Sequence, residues 1–162
     1  MWDNRWVRVG AVALGFFLIN GIARFIDFLT SPDEPDPLGR VTAGQAAIAV
    51  VGQLLVVVFM AVAAAWWTVR HEPGRVVADL GLATLGGTVL AQLIGPLFGG
   101  NPPFEGGLEL FVKVFGFFLG LGAVGIFLGY SAMVVLGKDW RSRGLSAYAQ
   151  RYGKKPKPAG RR

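Results

Sequence analysis

Four long apolar stretches, separated by short polar or glycine- and proline-rich connectors, make up most of this chain. The last is Leu108 to Leu136, LELFVKVFGFFLGLGAVGIFLGYSAMVVL, with its only charges, Glu109 and Lys113, at one end. Residues 6–29, 41–69 and 76–95 are the other three. About 20 apolar residues cross a bilayer as a helix. Hydrocarbon offers no water to satisfy backbone groups, so a run of this kind has to be helical. The expected fold is therefore all-α: a polytopic membrane protein with a four-transmembrane-helix bundle over residues 1–136, followed by a basic tail, 137–162. Between the spans, Thr30 to Arg40 (TSPDEPDPLGR) carries three prolines and three acids and cannot be helical throughout. Arg70 to Arg75 (RHEPGR) reads as a tight polar turn, and Leu97 to Gly107 (LFGGNPPFEGG) is too rich in Gly and Pro for regular structure.

Charge gives the bundle a direction. The N-terminus (Arg5, Arg8), the middle turn (Arg70, Arg75) and the tail are basic, whereas the other two connectors hold Arg40 against Asp33, Glu34, Asp36 and Glu105. Lys and Arg mark cytoplasmic loops, so both termini are expected in the cytoplasm of a cell with an inner (plasma) membrane, the bacterial arrangement. Trp2, Trp6, Trp66, Trp67 and Trp140 all fall at the same predicted boundary, where indole favours the headgroup layer. Gly21-Ile22-Ala23 offers a cleavage-like site, but Phe25, Ile26, Phe28 and Leu29 resume the apolar run, and an uncleaved helix is expected. Nine of the sixteen basic residues lie in the tail, a topology mark rather than a nucleic-acid reader. There Trp140, Gly144, Tyr148 and Tyr152 recur every four residues with Arg141, Arg143 and Arg151 between them, the pattern of a short helix in the headgroup layer. Beyond it Lys154, Lys155 and Lys157 offer charge to anionic lipid.

The chemistry on offer is narrow. With no cysteine and one histidine, thiol catalysis, iron–sulfur clusters and cysteine zinc sites are excluded, and no cofactor is expected. Gly120 to Gly125 spells GxGxxG, but inside an apolar helix, without the strand and turn that a dinucleotide site requires. Gly129-Tyr130-Ser131 is the front of a nucleophile elbow with no second glycine. His71 is expected in a solvated turn, and Asp79 near the start of the third helix is explained by the helix dipole.

Two patterns remain. Asp79, Ala83, Gly87, Ala91 and Gly95 recur four apart on the third span, and the fourth offers Gly116-xxx-Gly120 and Gly125-xxx-Gly129. Helices in lipid associate by close backbone packing at such small residues, so the third and fourth spans are expected face to face, with a homo-oligomer contact as the alternative. The second pattern is charge at depth. Arg24 and Asp27, three apart, and Glu109 and Lys113, four apart, lie toward the outer leaflet, with Gln45 and Gln92 on the same side and Asn20 and Gln53 deeper. An ionisable group within a membrane helix is a functional hypothesis, against which stands snorkelling of long side chains to water. If these residues form a site, Arg24 holds an anion, Asp27 and Glu109 exchange protons and Lys113 is a second cation.

Arg8, Gly21, Arg24, Phe25 and Asp27 in the first span, Gln53 in the second, Thr68-Val69-Arg70 after it and Phe111-Val112-Lys113 opening the fourth resemble the DoxX-like family of small four-helix bacterial membrane proteins. Arginine stands here for the family's usual lysine, and glutamine for its acid. The resemblance implies an auxiliary subunit of a membrane oxidoreductase. From the residues themselves two other roles are expected: a non-enzymatic accessory or oligomer-forming subunit, alone or in a larger complex, and a small transporter or anion- or lipid-binding protein built on the outer polar cluster.

Overall fold

The computed structural model describes residues 4–30, 43–99, 104 and 107–152, which form helices and short connections, with no strand among the described residues. Four long helices come first: α1 Arg5–Thr30, α2 Ala43–Thr68, α3 Pro73–Leu93 and α4 Gly107–Val135. All four are long and apolar enough to cross a membrane. A 3-10 segment, Gly95–Gly99, follows α3, and a short α5, Trp140–Tyr152, ends the described chain. The acidic Pro-rich connector with Asp33, Glu34, Asp36 and Arg40, together with Trp2, Glu105, Lys154, Lys155 and Lys157, lies outside the described residues.

Local chemistry sets the helix ends. Pro73 occupies the first turn of α3, where its missing N–H is no loss, so this helix begins three residues before the expected span. At the far end of α4, Gly137 adopts φ +62°. Its N–H reaches Val134 O (3.0 Å) and the next, from Lys138, reaches Met133 O (3.0 Å), the paired bonds of a Schellman stop. Asp139 then starts α5, accepting from the backbone N–H of Arg141 (3.2 Å) and the Ser142 hydroxyl. The tail is thereby a separate helix.

The long helices alternate in direction. Gly15 lies against Phe59 and Gly52 against Ala23, so α1 and α2 are antiparallel. Gly87 meets Ala13 and Phe16, and Gly95 meets Arg24, so α3 runs parallel to α1. Val57 and Met60 meet Gly125, and Ala61 meets Gly129, so α4 runs parallel to α2. One end of the bundle thus gathers the start of α1, the α2–α3 turn and the end of α4, with Trp6, Trp66, Trp67, Arg5, Arg8, Arg70 and Arg75.

Contacts are closest where side chains are smallest. A Cβ on Gly125 would stand 2.7 Å from both Val57 O and Met60 Cβ, and one on Gly129 would overlap Ala61 O. On α3, a Cβ at Gly87 would lie 2.9 Å from Ala13 O and from Phe16. The stripe of α3 is therefore spent mainly on α1, and the glycines of α4 mainly on α2, in place of the expected α3–α4 face. Gly122 against Thr84 is where α4 closes on α3. Gly116 and Gly120, on the same helix, have nothing within 4 Å of a built Cβ.

The distribution of polarity is reversed from that of a water-soluble bundle. Asn20, Thr68, Asp79, Thr84, Thr88 and Gln92 are buried, alongside Phe16, Val56, Met60, Trp67 and Leu80. Leu54, Val58, Val62, Val124, Phe127 and Leu128 face outward, and the only buried residues of α4 are Gly122, Gly125 and Gly129. The outward surface of these helices is therefore largely apolar.

Candidate functional site

Two polar clusters sit at opposite ends of α1. At the end away from the arginine-rich turn, Arg24 and Asp27 share the side of α1 that faces α2. The residues opposite are Ile48, Ala49, Gly52 and Gln53, because Gly52 lets α2 approach Ala23 closely. With Asn20 below and Phe118 of α4 as a wall, these residues line a pocket of about 140 Å³. Arg24 also leans over the 3-10 segment: its Cδ and Nε lie 3.4 and 3.5 Å from where a Gly95 Cβ would be. A side chain at residue 95 would compete with the guanidinium for that space. The Asn20 amide donates to Phe16 O (2.9 Å), which fixes its rotamer and leaves its carbonyl for other partners.

Three of the residues expected to form a polar site thus meet in one pocket: Arg24, Asp27 and Gln53. The other three do not line it. Gln92 is buried on α3, one turn before Gly95, and its Nε2 has no hydrogen-bond partner among the described residues. The same is true of Thr88 Oγ1, one turn earlier on the same face. Glu109 and Lys113 pair with each other (2.6 Å) on the outside of α4, both well exposed. Their expected proton-exchange and second-cation roles gain no neighbours there. Arg141 and Arg143 are exposed on α5 beside the exposed Trp140, and Arg151 falls within the same helix.

At the other end lies a cluster the sequence reading missed. Asp79, assigned there to the helix dipole, is in the second turn of α3 and 2% exposed. Its Oδ1 accepts from Arg5 Nε (2.7 Å) and faces a second Arg5 nitrogen at 2.6 Å. Its Oδ2 accepts from the Trp67 indole (3.2 Å), with Arg75 Nε at 3.9 Å. One carboxylate thereby ties α1, α2 and α3 together, which is how a charge can be kept inside a bundle. Around it, the Arg8 guanidinium lies 6.0 Å from the Trp67 ring centre, and Arg70 sits 4.1 Å from that of Trp66. His71, expected in solvent, is half-buried with Nδ1 3.3 Å from Trp67 O. The signal was present in the sequence: Asp79 heads the small-residue stripe, so it had to face a neighbouring helix.

No cluster of three or more His, Cys, Asp or Glu suited to a metal occurs among the described residues. No family model matches the chain, and neither a curated protein nor a solved structure is similar to it. Of the residues that carry the DoxX-like resemblance, Arg24, Asp27 and Gln53 line the pocket, and Arg8, Thr68 and Arg70 belong to the opposite end.

Proposed function

We propose that this chain is a multi-pass protein of a bacterial inner membrane, with both termini cytoplasmic, and that it binds a small anionic group in the α1–α2 pocket near the outer leaflet. The observation that carries the binding role is the convergence of Arg24, Asp27, Asn20 and Gln53 between apolar walls in one pocket. A guanidinium in hydrocarbon requires an anion, and its planar donors suit a carboxylate or phosphate. The amides of Asn20 and Gln53 add donors and acceptors for the polar edge of the same ligand. A volume of about 140 Å³ admits a headgroup fragment or small organic acid, since a water takes roughly 30 Å³. Calorimetric titration of the detergent-purified protein with phosphate- and carboxylate-bearing amphiphiles tests this. Arg24→Ala is expected to abolish binding while the helical circular-dichroism signal stays. Unchanged binding in that variant excludes the pocket.

A second reading, an accessory or oligomer-forming subunit, is favoured by the outward face of α4, where Gly116 and Gly120 meet no neighbour. Purification in mild detergent with mass spectrometry of what accompanies the chain separates the two. A stoichiometric partner lost on Gly120→Leu supports the accessory role.

A further inference from the structure

The arginine-rich end holds more positive charge than its buried acid can neutralise. Both oxygens of Asp79 are occupied, by Arg5 on one side and by Trp67 and Arg75 on the other. Arg8, one turn beyond Arg5 on α1, is not among its partners. Its guanidinium lies by the Trp67 ring, and its Nε is buried with no hydrogen-bond partner among the described residues, while the side chain as a whole is half-exposed. Glu72, the nearest acid on the α2–α3 turn, is exposed and forms no ion pair among the described residues. An arginine cannot lose its charge, and burying one of its donors without an acceptor is costly. The exposed part of the Arg8 side chain, and not its buried Nε, is what an anion from outside can reach.

We infer that Arg8, with the half-exposed Arg5 beside it, binds the phosphate of an anionic phospholipid of the adjoining leaflet. The choice of a lipid over a free ion rests on what borders the arginines. Trp6 and Trp66 are exposed there, Arg5 and Arg70 lie over their rings, and the outward apolar surface of α1 and α2 begins beside them. A phosphate held at Arg8 thus has a surface beside it on which acyl chains can lie, and indole is at home at that depth. Asp79 sets the strength of the site by holding Arg5 back. This inference rests on the proposed membrane setting and is independent of the α1–α2 pocket.

The test is native mass spectrometry of the full chain in detergent, titrated with phosphatidylglycerol, phosphatidylcholine or inorganic phosphate. The wild type is expected to retain phosphatidylglycerol in preference to phosphatidylcholine. Arg8→Gln is expected to weaken that retention about fivefold, the effect of one interfacial cation. Asp79→Asn, by releasing Arg5, is expected to tighten it, and this variant decides the matter if Arg8→Gln does not fold. Lys113→Gln, in the exposed Glu109–Lys113 pair at the other end, is expected to leave it unchanged, and the effect of Arg8→Gln is expected to persist in an Arg24→Gln background, so failure of the pocket does not carry over to this site. Equal retention of the two lipids, no loss in Arg8→Gln, or no gain in Asp79→Asn overturns the proposal. Arg8-dependent binding of inorganic phosphate in place of lipid overturns the lipid assignment. Loss on Arg24→Gln alone moves the lipid to the pocket.

Discussion

Asp79 and Thr88 show how differently two buried polar residues of one helix are treated. Asp79 has every oxygen engaged, so removing a partner should cost more than neutralising the acid. Arg5→Gln leaves a carboxylate at 2% exposure with Trp67 and a distant Arg75, and is expected to destabilise by about 2–3 kcal/mol. Asp79→Asn keeps an acceptor for Trp67 and frees a half-exposed arginine into water, for a loss of only about 1 kcal/mol. Denaturant unfolding in detergent, followed by tryptophan fluorescence, gives the order; the reverse order means that Asp79 is not a buried anion. Thr88 lies in the opposite situation, fully buried with a hydroxyl that has no partner among the described residues, whereas Thr84 donates to Leu80 O at 2.8 Å. Thr88→Val, which keeps shape and deletes the unpaired group, is expected to be neutral or to stabilise by up to about 1 kcal/mol. A loss above that, in the same unfolding measurement, means that a water or ligand satisfies the hydroxyl.

At the scale of elements, the glycines of α4 divide into two sets with opposite consequences. Gly125 and Gly129 let α4 touch the backbone of α2, and a side chain there pushes the helices apart. Gly129→Leu is expected to abolish the folded monomer in detergent, visible as aggregation on size-exclusion chromatography. Gly120→Leu, which meets open space, is expected to leave the monomer intact; misfolding there means that α4 has a neighbour on that face. The helix α5 depends on its start. The hydrogen bond from the Ser142 hydroxyl, followed by those from backbone N–H groups, holds the Asp139 carboxyl below its ordinary value of 3.8. The folded value being the depressed one, the cap is complete above the ordinary value and is lost as pH falls through the lowered one. The helical signal of a tail peptide covering residues 137–152 is therefore expected to persist through mild acid and to drop only below that range. Asp139→Ala should lower it at neutral pH and through mild acid and remove the acid-induced drop; an unchanged signal shows that the cap does not hold α5.

For the whole molecule, the proposed topology rests on the arrangement of charge and indole. The arginines and tryptophans near Asp79 occupy one end, Arg24 and Asp27 the other, and the lateral surface between is apolar. Single cysteines introduced into this cysteine-free chain, probed with an impermeant reagent on intact cells, report it directly. Labelling is expected in the connector after α1 and not in the last dozen residues, and the opposite pattern inverts the proposed topology.

The number of long helices, their approximate bounds and the identity of the short basic turn were all legible in the linear pattern, because hydropathy and Gly/Pro punctuation act locally along the chain. Of the pocket residues, Arg24 and Asp27 were legible as a pair toward one leaflet, whereas Gln53, read as lying deeper, was not legible as their neighbour. Which helix faces which was decided by tertiary packing: the small-residue stripes on α3 and α4 are compatible with several partners. Their choice of α1 and α2 depends on complementary neighbours such as Ala13 and Ala61 that no spacing reveals. Asp79 is the sharpest case. One dimension supplies its charge, but its burial and its three-helix engagement arise from residues 74 and 12 positions away, Arg5 and Trp67, meeting it at the same end of the bundle.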